Sequence, residues 1–334
     1  MALSHANPYY LAIALVIICS TYMMRAARWG ALLAPLSPAG IRNLFIATTV
    51  GFGALFLFGR MGEVIRPLVL PMRDRRIRPS ASFVTIMVER IYDTLAVVIL
   101  FAINLIWMRP PAGTTTEFNR VRVIGMLMLA GVLFGVFLMV IFRRNAASMI
   151  AWLSGRLNGS FVPARLTRAV TSILEQLAKA LSVLVNLREL AVTMGWTVLL
   201  WVAVAVGNWC VLRAFGLHFG ATQTIFVLGW ALVGSLVPTP GGAAGAFHAA
   251  TAGALIFLGI DRETAAAISI VLHLIDFGPA LLIGLIYVVR GDVKIGNLRS
   301  ITSTETVEHA IEDDELPPDE EFEATQLKPL AARD

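Results

Sequence analysis

The sequence predicts an all-α polytopic membrane protein, and composition, hydropathy and segment length support that prediction. Of its 334 residues, 57% are apolar and 15% are charged, and the mean hydropathy is +0.75. Apolar stretches approach the roughly 20 residues that cross a bilayer. About seven to eight helical segments are expected, at 9–24, 43–59, 82–107, 121–142, 190–212, 223–238, 243–260 and 264–289.

The two ends of the chain predict its domain organisation. No basic residue precedes the first segment, whereas Arg25 and Arg28 follow it. This is the basic cytoplasmic-face flank of a retained span whose N-terminus lies outside. Residues 301–334 hold eleven acidic residues against two basic ones, although the whole chain has a net charge of +5. We therefore expect a transmembrane domain over 1–292 and a disordered acidic tail over 293–334 in the cytoplasm.

The second segment is poorly explained as a simple span. If 43–59 crossed the membrane, the arginines of 25–42 would lie opposite those of 73–78, against the positive-inside rule. The conflict disappears if 43–70 is a re-entrant hairpin that turns near Gly59–Gly62. The segments 223–238 and 243–260 are then either a second re-entrant hairpin, entering from outside, or two closely spaced spans.

The polar, basic stretch 143–188 has apolar residues at helical spacing. It predicts amphipathic cytoplasmic helices lying on the membrane, separated at Pro163.

An internal repeat follows from the two breaks. Each unit consists of an apolar helix, a Gly-rich break and a helix with polar residues. Glu89 and Asp93 mark the last helix of the first unit, and His273 and Asp276 mark that of the second. Because the hairpins enter from opposite faces, the units are inverted copies, which is a transporter architecture.

Charged residues inside apolar sequence predict a polar centre. Ionisable groups at membrane depth are costly, so they usually pair and mark a site or pathway. Arginine stays charged when buried and binds carboxylate or phosphate through two hydrogen bonds. The cluster is therefore either a closed structural ion-pair network or one whose arginines exchange partners with a lipid headgroup, and both can hold. Its members are Arg60, Glu63, Arg66, Glu89, Arg90 and Asp93.

The Gly-rich breaks predict the rest of the candidate site. An interrupted helix exposes backbone N–H groups that favour an anion, and glycine lets the anion approach the backbone. Alternatively, these residues only pack or kink helices. The candidates are Gly62, Pro238, Pro240, Gly241, Gly242, Gly245, His248, His273 and Asp276.

Other chemistry is poorly represented. The two cysteines lie in apolar runs and the five histidines are scattered, so no metal site or cofactor is expected. No nucleophile motif, phosphate-binding loop or dinucleotide fingerprint occurs, so an enzyme is the less favoured class. No nucleic-acid partner is expected either.

Four motifs in order carry a family resemblance. They are Arg25-Ala-Ala-Arg28-Trp29, Phe58-Gly-Arg-Met-Gly-Glu-Val-Ile-Arg66, Val88-Glu-Arg-Ile-Tyr-Asp93 and Leu236-Val-Pro-Thr-Pro-Gly-Gly242. Over roughly residues 8–292 the chain resembles the transmembrane domain of bacterial lysylphosphatidylglycerol synthases, a flippase-like family. In bifunctional relatives this domain moves aminoacylated phosphatidylglycerol across the membrane. The family pattern often has Pro where Phe58 stands and an acidic residue where His248 stands.

The resemblance implies a multi-pass protein of the bacterial inner membrane that translocates an anionic or aminoacylated phospholipid or a lipid-linked substrate. The separate synthase domain is absent from this sequence, so lysyl-lipid synthesis is not expected. The alternatives are a membrane enzyme that modifies a lipid or lipid-linked sugar, with Glu63 or Asp93 as base, and a scaffold subunit for a separate synthase. Besides a membrane phospholipid, the expected partners are a separately encoded lipid-modifying enzyme and a second copy of the chain.

Overall fold

The computed structural model describes residues 6–158, 187–237 and 244–293, with scattered positions between 170 and 178. Some side chains within these ranges, including that of Arg60, are not described. The helices with described bounds are α1 (Pro8–Leu33), α2 (Ile41–Phe58), α3 (Ile65–Arg73), α4 (Pro79–Trp107), α5 (Thr115–Asn158), α6 (Leu187–Ala214), α7 (Ala221–Leu236), α8 (Ala244–Phe257) and α9 (Arg262–Val289).

The predicted fold class is confirmed, since the described residues form helices and no strand. Within the described part of the chain, five helices are long and apolar enough to cross a bilayer, namely α1, α2, α5, α6 and α9. The described residues up to Val293 form one compact unit. The acidic tail lies outside the described residues.

Local sequence explains where two of the long helices begin. The side chain of Asn7 accepts a hydrogen bond from the backbone N–H of Tyr9, and Pro8 occupies the first turn of α1. Asp261 accepts from the backbone N–H of Thr264 at the start of α9. Hydrogen bonds from this helix N-terminus hold the pKa of Asp261 below its usual value. Both helices therefore begin with a side-chain cap.

The first break is a tight turn that folds the chain back on itself. Gly59 has φ +64° and begins a 3₁₀ turn, Gly59–Val64, between α2 and α3. A Cβ atom at Gly62 would overlap the backbone of Ala54 and Leu55, so only glycine allows this approach. Helix α3 has nine residues and is about 14 Å long, too short to cross the bilayer. Helices α2 and α3 therefore form a hairpin.

Hydrogen bonds show that this hairpin begins and ends on one face of the molecule. Arg73, at the end of α3, donates to the side chain of Asn43 in the first turn of α2. It also donates to the backbone oxygen of Asp292, just after α9. We call the face that carries Asn43, Arg73 and Asp292 the basic face.

The opposite face is defined by four further helix ends, which two hydrogen bonds join in pairs. The backbone N–H of Asn7, before α1, donates to the oxygen of Ala214, the last residue of α6. Asn104, near the end of α4, donates to the backbone oxygen of Thr222 at the start of α7. We call the face that carries Asn7, Ala214 and Thr222 the N-terminal face.

Helices α7 and α8 form a second hairpin, which opens on the N-terminal face. A Cβ atom at Gly234 would lie 2.5 Å from the backbone oxygen of Ala246, so the two helices pack very closely. The rings of Phe226 and Phe257, at the outer ends of α7 and α8, lie 5.5 Å apart. Each ring is 6.4 Å from Phe118 at the start of α5.

The length of these two helices decides between the alternatives for 223–260. With 16 and 14 residues, α7 and α8 are about 24 and 21 Å long, shorter than the roughly 30 Å hydrocarbon core. The pair is therefore a hairpin rather than two full spans. The turn at 238–243 lies outside the described residues.

Each hairpin packs on the long helix that ends the other unit. A Cβ atom at Gly53 of α2 would lie 3.1 Å from the backbone oxygen of Ala280 in α9, and one at Gly284 of α9 would lie 2.8 Å from that of Thr49. Gly229 of α7 similarly leaves room for the Phe101 ring of α4. Since the hairpins open on opposite faces, the units α2–α4 and α7–α9 run in opposite directions, as the inverted-repeat prediction requires.

The prediction of a separate amphipathic helix beginning at residue 143 is wrong. Helix α5 runs without interruption from Thr115 to Asn158, because this range contains no proline and Asn145, next to Arg144, bonds back to the carbonyl of Ile141 within the helix. Its 44 residues extend about 66 Å, well beyond a bilayer core of roughly 30 Å. The predicted break at Pro163 lies outside the described residues.

Replacing Gly62 by alanine should destabilise the first hairpin by about 1–3 kcal/mol, as overpacking does in close-packed proteins. The measurement is SDS-induced unfolding of the purified protein, followed by circular dichroism. Gly131→Ala is the matched control, because a Cβ atom there meets nothing within 4 Å. Equal unfolding midpoints for the two variants would contradict the close approach at Gly62.

Candidate functional site

A buried ion-pair network lies where α1, α3 and α4 meet. Its members are Arg28 of α1, Arg66 of α3, and Glu89, Arg90 and Asp93 of α4. Glu89 and Asp93 share a face of α4 because they are four residues apart. The side chain of Glu89 is fully buried, and that of Arg28 is 1% exposed.

Two arginines hold the two carboxylates in bidentate pairs. Arg28 donates from both terminal nitrogens to Asp93, at 2.6 and 2.9 Å. Arg66 donates in the same way to Glu89, at 2.6 and 3.1 Å. A second contact, 3.2 Å between Arg28 and Glu89, joins the pairs. Such paired, charge-assisted hydrogen bonds are among the strongest in proteins.

Arg90 joins the network differently. Its Nη2 atom lies 3.0 Å from Glu89 and 3.2 Å from Asp93, so it shares one nitrogen between both acids. Its side chain is 36% exposed, whereas those of Arg28 and Arg66 are 1% and 4% exposed. Among the network members, Arg90 is therefore the one that a ligand outside the bundle can reach.

Neighbouring side chains fix the buried arginines in place. The guanidinium carbon of Arg66 lies 4.4 Å from the centre of the Trp29 ring, a cation–π contact. The Trp29 indole N–H donates to Thr85 Oγ1 at 3.0 Å, which orients the ring. Arg28 also lies 3.3 Å from Thr197 Oγ1 of α6. Four helices thus contribute to one polar cluster.

The charges within the network do not cancel. Three guanidinium groups contact two carboxylates, which leaves one excess positive charge. Glu63 lies nearby and half-buried, but it forms no ion pair within 4 Å among the described side chains. The excess therefore belongs to the five paired side chains, and because Glu63 attracts Arg90 only from beyond 4 Å, an anionic ligand can still contact Arg90 directly.

A cavity adjoins this excess charge. It encloses about 290 Å³ of space that no protein atom fills, part of it open to the surroundings. Its polar lining comes from Glu63, Arg66 and Arg90. The rest of its wall is apolar or glycine, namely Gly51, Phe52, Leu55 and Ile86. A charged end and apolar walls suit an amphipathic ligand.

The structure brings together four of the six predicted charged residues, Arg66, Glu89, Arg90 and Asp93. Glu63 lines the adjoining cavity, and the side chain of Arg60 lies outside the described residues. Gly62 allows the close backbone approach in the turn between α2 and α3. Its close backbone packing leaves no space for a ligand at its α-carbon.

The assignment of Arg28 to a basic cytoplasmic flank is wrong, because Arg28 is buried and pairs with Asp93. Helix α1 continues past it, and Trp29, Leu32 and Leu33 are all buried. Those apolar residues after Arg28 were the sequence signal that the helix had not yet reached the membrane surface. Arg25 likewise lies inside the bundle, against Phe52. Since Arg25 and Arg28 do not lie in a surface loop, they cannot support the hairpin through the positive-inside rule. The packing of α2 and α3 supports it instead.

The second-unit candidates lie apart from the network. His273 of α9 is buried, with its ring 5.0 Å from that of His248 and 4.9 Å from that of Phe247. Asp276 lines a different cavity, and Gly245 lies in the first turn of α8. Pro238, Pro240, Gly241 and Gly242 lie outside the described residues, so the anion cradle there stays a prediction.

The arrangement of the described side chains favours neither a metal site nor acid–base chemistry at Asp93. Among the described residues, no group of three or more histidine, cysteine or acidic side chains is placed to hold a metal ion. Both oxygens of Asp93 accept hydrogen bonds from Arg28. A carboxylate held in this way is a poor candidate for the base of an enzyme.

The family assignment comes from a sequence profile. The profile described as the lysylphosphatidylglycerol synthase TM region matches residues 1–284. The chain belongs to this family. No curated protein and no solved structure matches the chain at a significant level.

Membership of the lysylphosphatidylglycerol synthase TM family identifies a multi-pass membrane protein tied to lipid modification or transport. The network also explains three of the four motifs that carry the resemblance. Arg28 and Trp29 belong to the first, Arg66 to the second, and Glu89 and Asp93 to the third. These motifs meet in one ion-pair network, while the fourth lies mostly outside the described residues.

Replacing Arg28 by methionine should destabilise the protein by about 3–5 kcal/mol, since it removes the bidentate partner of Asp93. The measurement is SDS unfolding followed by circular dichroism. Arg144→Met, at an exposed position of α5, should change stability by about 0.5 kcal/mol or less. The double variant Arg28→Met with Asp93→Asn should recover part of the loss. An Arg28→Met variant as stable as the Arg144→Met control would refute the role of this pair.

Proposed function

We propose that the protein is a lipid translocase that moves a phospholipid headgroup past the ion-pair network. The observation that supports this most directly is the position of Arg90. Its side chain is part-exposed, contacts both buried acids through Nη2, and lines a cavity with apolar walls. A phosphate can therefore approach a cation while the glycerol and acyl region lies against apolar side chains.

The network allows Arg90 to exchange partners without losing its other pairs. When Arg90 turns toward a phosphate, Glu89 keeps Arg66 and Asp93 keeps Arg28. Breaking a buried pair outright would leave an uncompensated charge, which is strongly unfavourable. Exchange at Arg90 avoids this cost, because neither acid is left without a cation.

The depth of the network also suits a headgroup path. Arg66 lies seven residues before the end of α3, about 10 Å from the basic face along the helix. Glu89 lies ten residues after the start of α4, about 15 Å from the same face. These depths fall inside a hydrocarbon core of roughly 30 Å, where a headgroup needs polar partners to move.

We place the protein in the inner membrane with the basic face and the C-terminal tail in the cytoplasm and the N-terminus outside. Phe142 of α5 packs near Leu32 and Val84, so the later residues of α5 emerge on the basic face. That face holds Arg42, Arg73, Arg75, Arg76, Arg78, Arg143, Arg144, Arg156 and Arg290, against Arg109, Arg120, Arg122, Arg213 and Arg262 toward the N-terminal face. The positive-inside rule favours this orientation.

Single cysteines test the orientation. In a background with Cys19 and Cys210 replaced by alanine, Ala34→Cys should be shielded in intact cells from a membrane-impermeant thiol reagent. Ala112→Cys, on the opposite face, should react. Both positions are exposed in the structure, so each should react after the cells are opened. The reverse pattern would invert the topology.

Translocation in proteoliposomes tests the function. With lipids that report their leaflet, Arg90→Gln should slow movement about tenfold or more, since it removes a charge-assisted hydrogen bond to phosphate of about 1.5–3 kcal/mol. Glu63→Gln should also slow movement, because losing the negative charge beside Arg90 holds the phosphate more tightly and delays its release.

Exposed residues of α5 supply matched controls. Arg144→Gln and Glu117→Gln change the same groups far from the cavity and should leave the rate unchanged. Wild-type rates in both folded cavity variants, Arg90→Gln and Glu63→Gln, would refute the mechanism. Failure of the wild-type protein to move any phospholipid would refute the proposed function itself.

A further inference from the structure

A second, larger cavity lies among α1, α2 and α6–α9, on the other side of Phe52 from the network. It encloses about 510 Å³ of space that no protein atom fills, some of it open to the surroundings. Phe52 lines both cavities, with the guanidinium carbon of Arg25 at 4.8 Å and that of Arg66 at 5.7 Å from its ring centre. The second cavity therefore has its own arginine.

The acid in this cavity lacks the cationic partners that the network acids have. Asp276 accepts from the side-chain amide of Asn208, at 3.2 and 3.4 Å. No arginine, lysine or histidine nitrogen within the described residues lies within 4 Å of it. By contrast, Glu89 and Asp93 each contact at least two arginines. The guanidinium group of Arg25 attracts Asp276 only from beyond 4 Å, so a neutral amide is the polar side chain in contact with this acid.

The cation in this cavity also has no acid in contact, since Asp93 and Asp276 attract it only from beyond 4 Å. Arg25 is half-buried, and its one described contact is with the face of Phe52, without an ion pair within 4 Å. Nearby, the indole N–H of Trp201 is buried and has no hydrogen-bond acceptor among the described residues. Trp201 is 8% exposed and lines the same cavity. The cavity wall therefore includes two residues, Arg25 and Trp201, whose N–H donors have no hydrogen-bond acceptor among the described residues.

The wall between these charges is aromatic. Tyr22, Phe52, Trp201, Phe247 and Phe277 all line the cavity together with Asp276. Aromatic faces beside a carboxylate attract an ammonium group, because the ring quadrupole and the negative charge act together. A guanidinium group and an indole N–H, on the other hand, suit the oxygens of a phosphate.

We infer that this cavity binds a zwitterionic headgroup that carries a phosphate ester and an ammonium group. The phosphate binds Arg25 and the Trp201 N–H, and the ammonium binds Asp276 among the aromatic rings. Arg25 and Asp276 attract each other only across the cavity, so a ligand with both charges can contact both groups, whereas an anion or a cation alone can contact one of them. The conclusion that the headgroup belongs to a lipid rests on the proposed function. The charge pattern of the site is independent of that function.

The test is equilibrium binding of lipids to the purified full chain in detergent, measured by native mass spectrometry. Phosphatidylethanolamine and phosphatidylglycerol with identical acyl chains share the phosphate and differ in the ammonium group. The wild-type protein should prefer phosphatidylethanolamine about tenfold, as expected for one charge-assisted hydrogen bond. Asp276→Asn should abolish that preference, and Arg25→Gln should weaken the binding of both lipids.

Controls keep the interpretation specific. Asp276→Asn is isosteric, and circular dichroism melting should show that it remains folded. Glu117→Gln and Arg144→Gln make equivalent charge changes at exposed sites and should leave the preference intact. An unchanged preference in Asp276→Asn, or no preference in the wild-type protein, would overturn the inference.

Two further comparisons separate the source of the ligand from its transport. Displacement of bound lipid by soluble glycerophosphoethanolamine would support a site for the headgroup alone, and resistance to displacement would support a site that also needs the acyl chains. A protein that binds phosphatidylethanolamine through Asp276 but moves no lipid would refute the translocase and keep this site. If the protein moves lipid but Asp276→Asn keeps the preference for phosphatidylethanolamine, the translocase is supported and this binding site is refuted.

Discussion

The burial of charge between α1, α3 and α4 is the constraint on which the rest of the structure depends. Glu89 is fully buried on a helix inside an apolar bundle, and a lone carboxylate there would be very unfavourable. Two bidentate arginines compensate the acids, and each comes from a different helix. Helix α1 must therefore extend past Arg28, and the chain must turn back after α2 so that Arg66 reaches Glu89.

The hairpin that brings Arg66 to Glu89 is held from both units of the molecule. Its first arm packs on α9 through Gly53 and Gly284, and its second arm pairs with α4 through Arg66. The second hairpin packs in turn on α4 through Gly229. Because each hairpin contacts the other unit, a displacement of one unit relative to the other must act on the network and on both cavities, which meet at Phe52.

The sequence predicts most members of the ion-pair network, but it does not predict which arginine pairs with which acid. Charges within apolar sequence must pair, so Arg66, Glu89 and Asp93 were predictable as a cluster. Arg28 was missed, since an arginine after an apolar run resembles a surface flank until the buried residues after it are considered. The continuity of α5 was missed for a related reason, because charged residues such as Arg143 do not end a helix. Which arginine binds which acid depends on helix contacts that a single sequence does not contain.

The structure also relates the two hypotheses that the sequence left open for the charged cluster. The pairs Arg28–Asp93 and Arg66–Glu89 are buried and bidentate, which is the geometry of a structural network. Arg90 shares one nitrogen between the same acids and is part-exposed, which is the geometry of a group that can change partners. The two bidentate pairs make exchange at Arg90 possible, because Arg90 can leave only if both acids remain compensated. The structural and exchanging roles therefore belong to different arginines of one network.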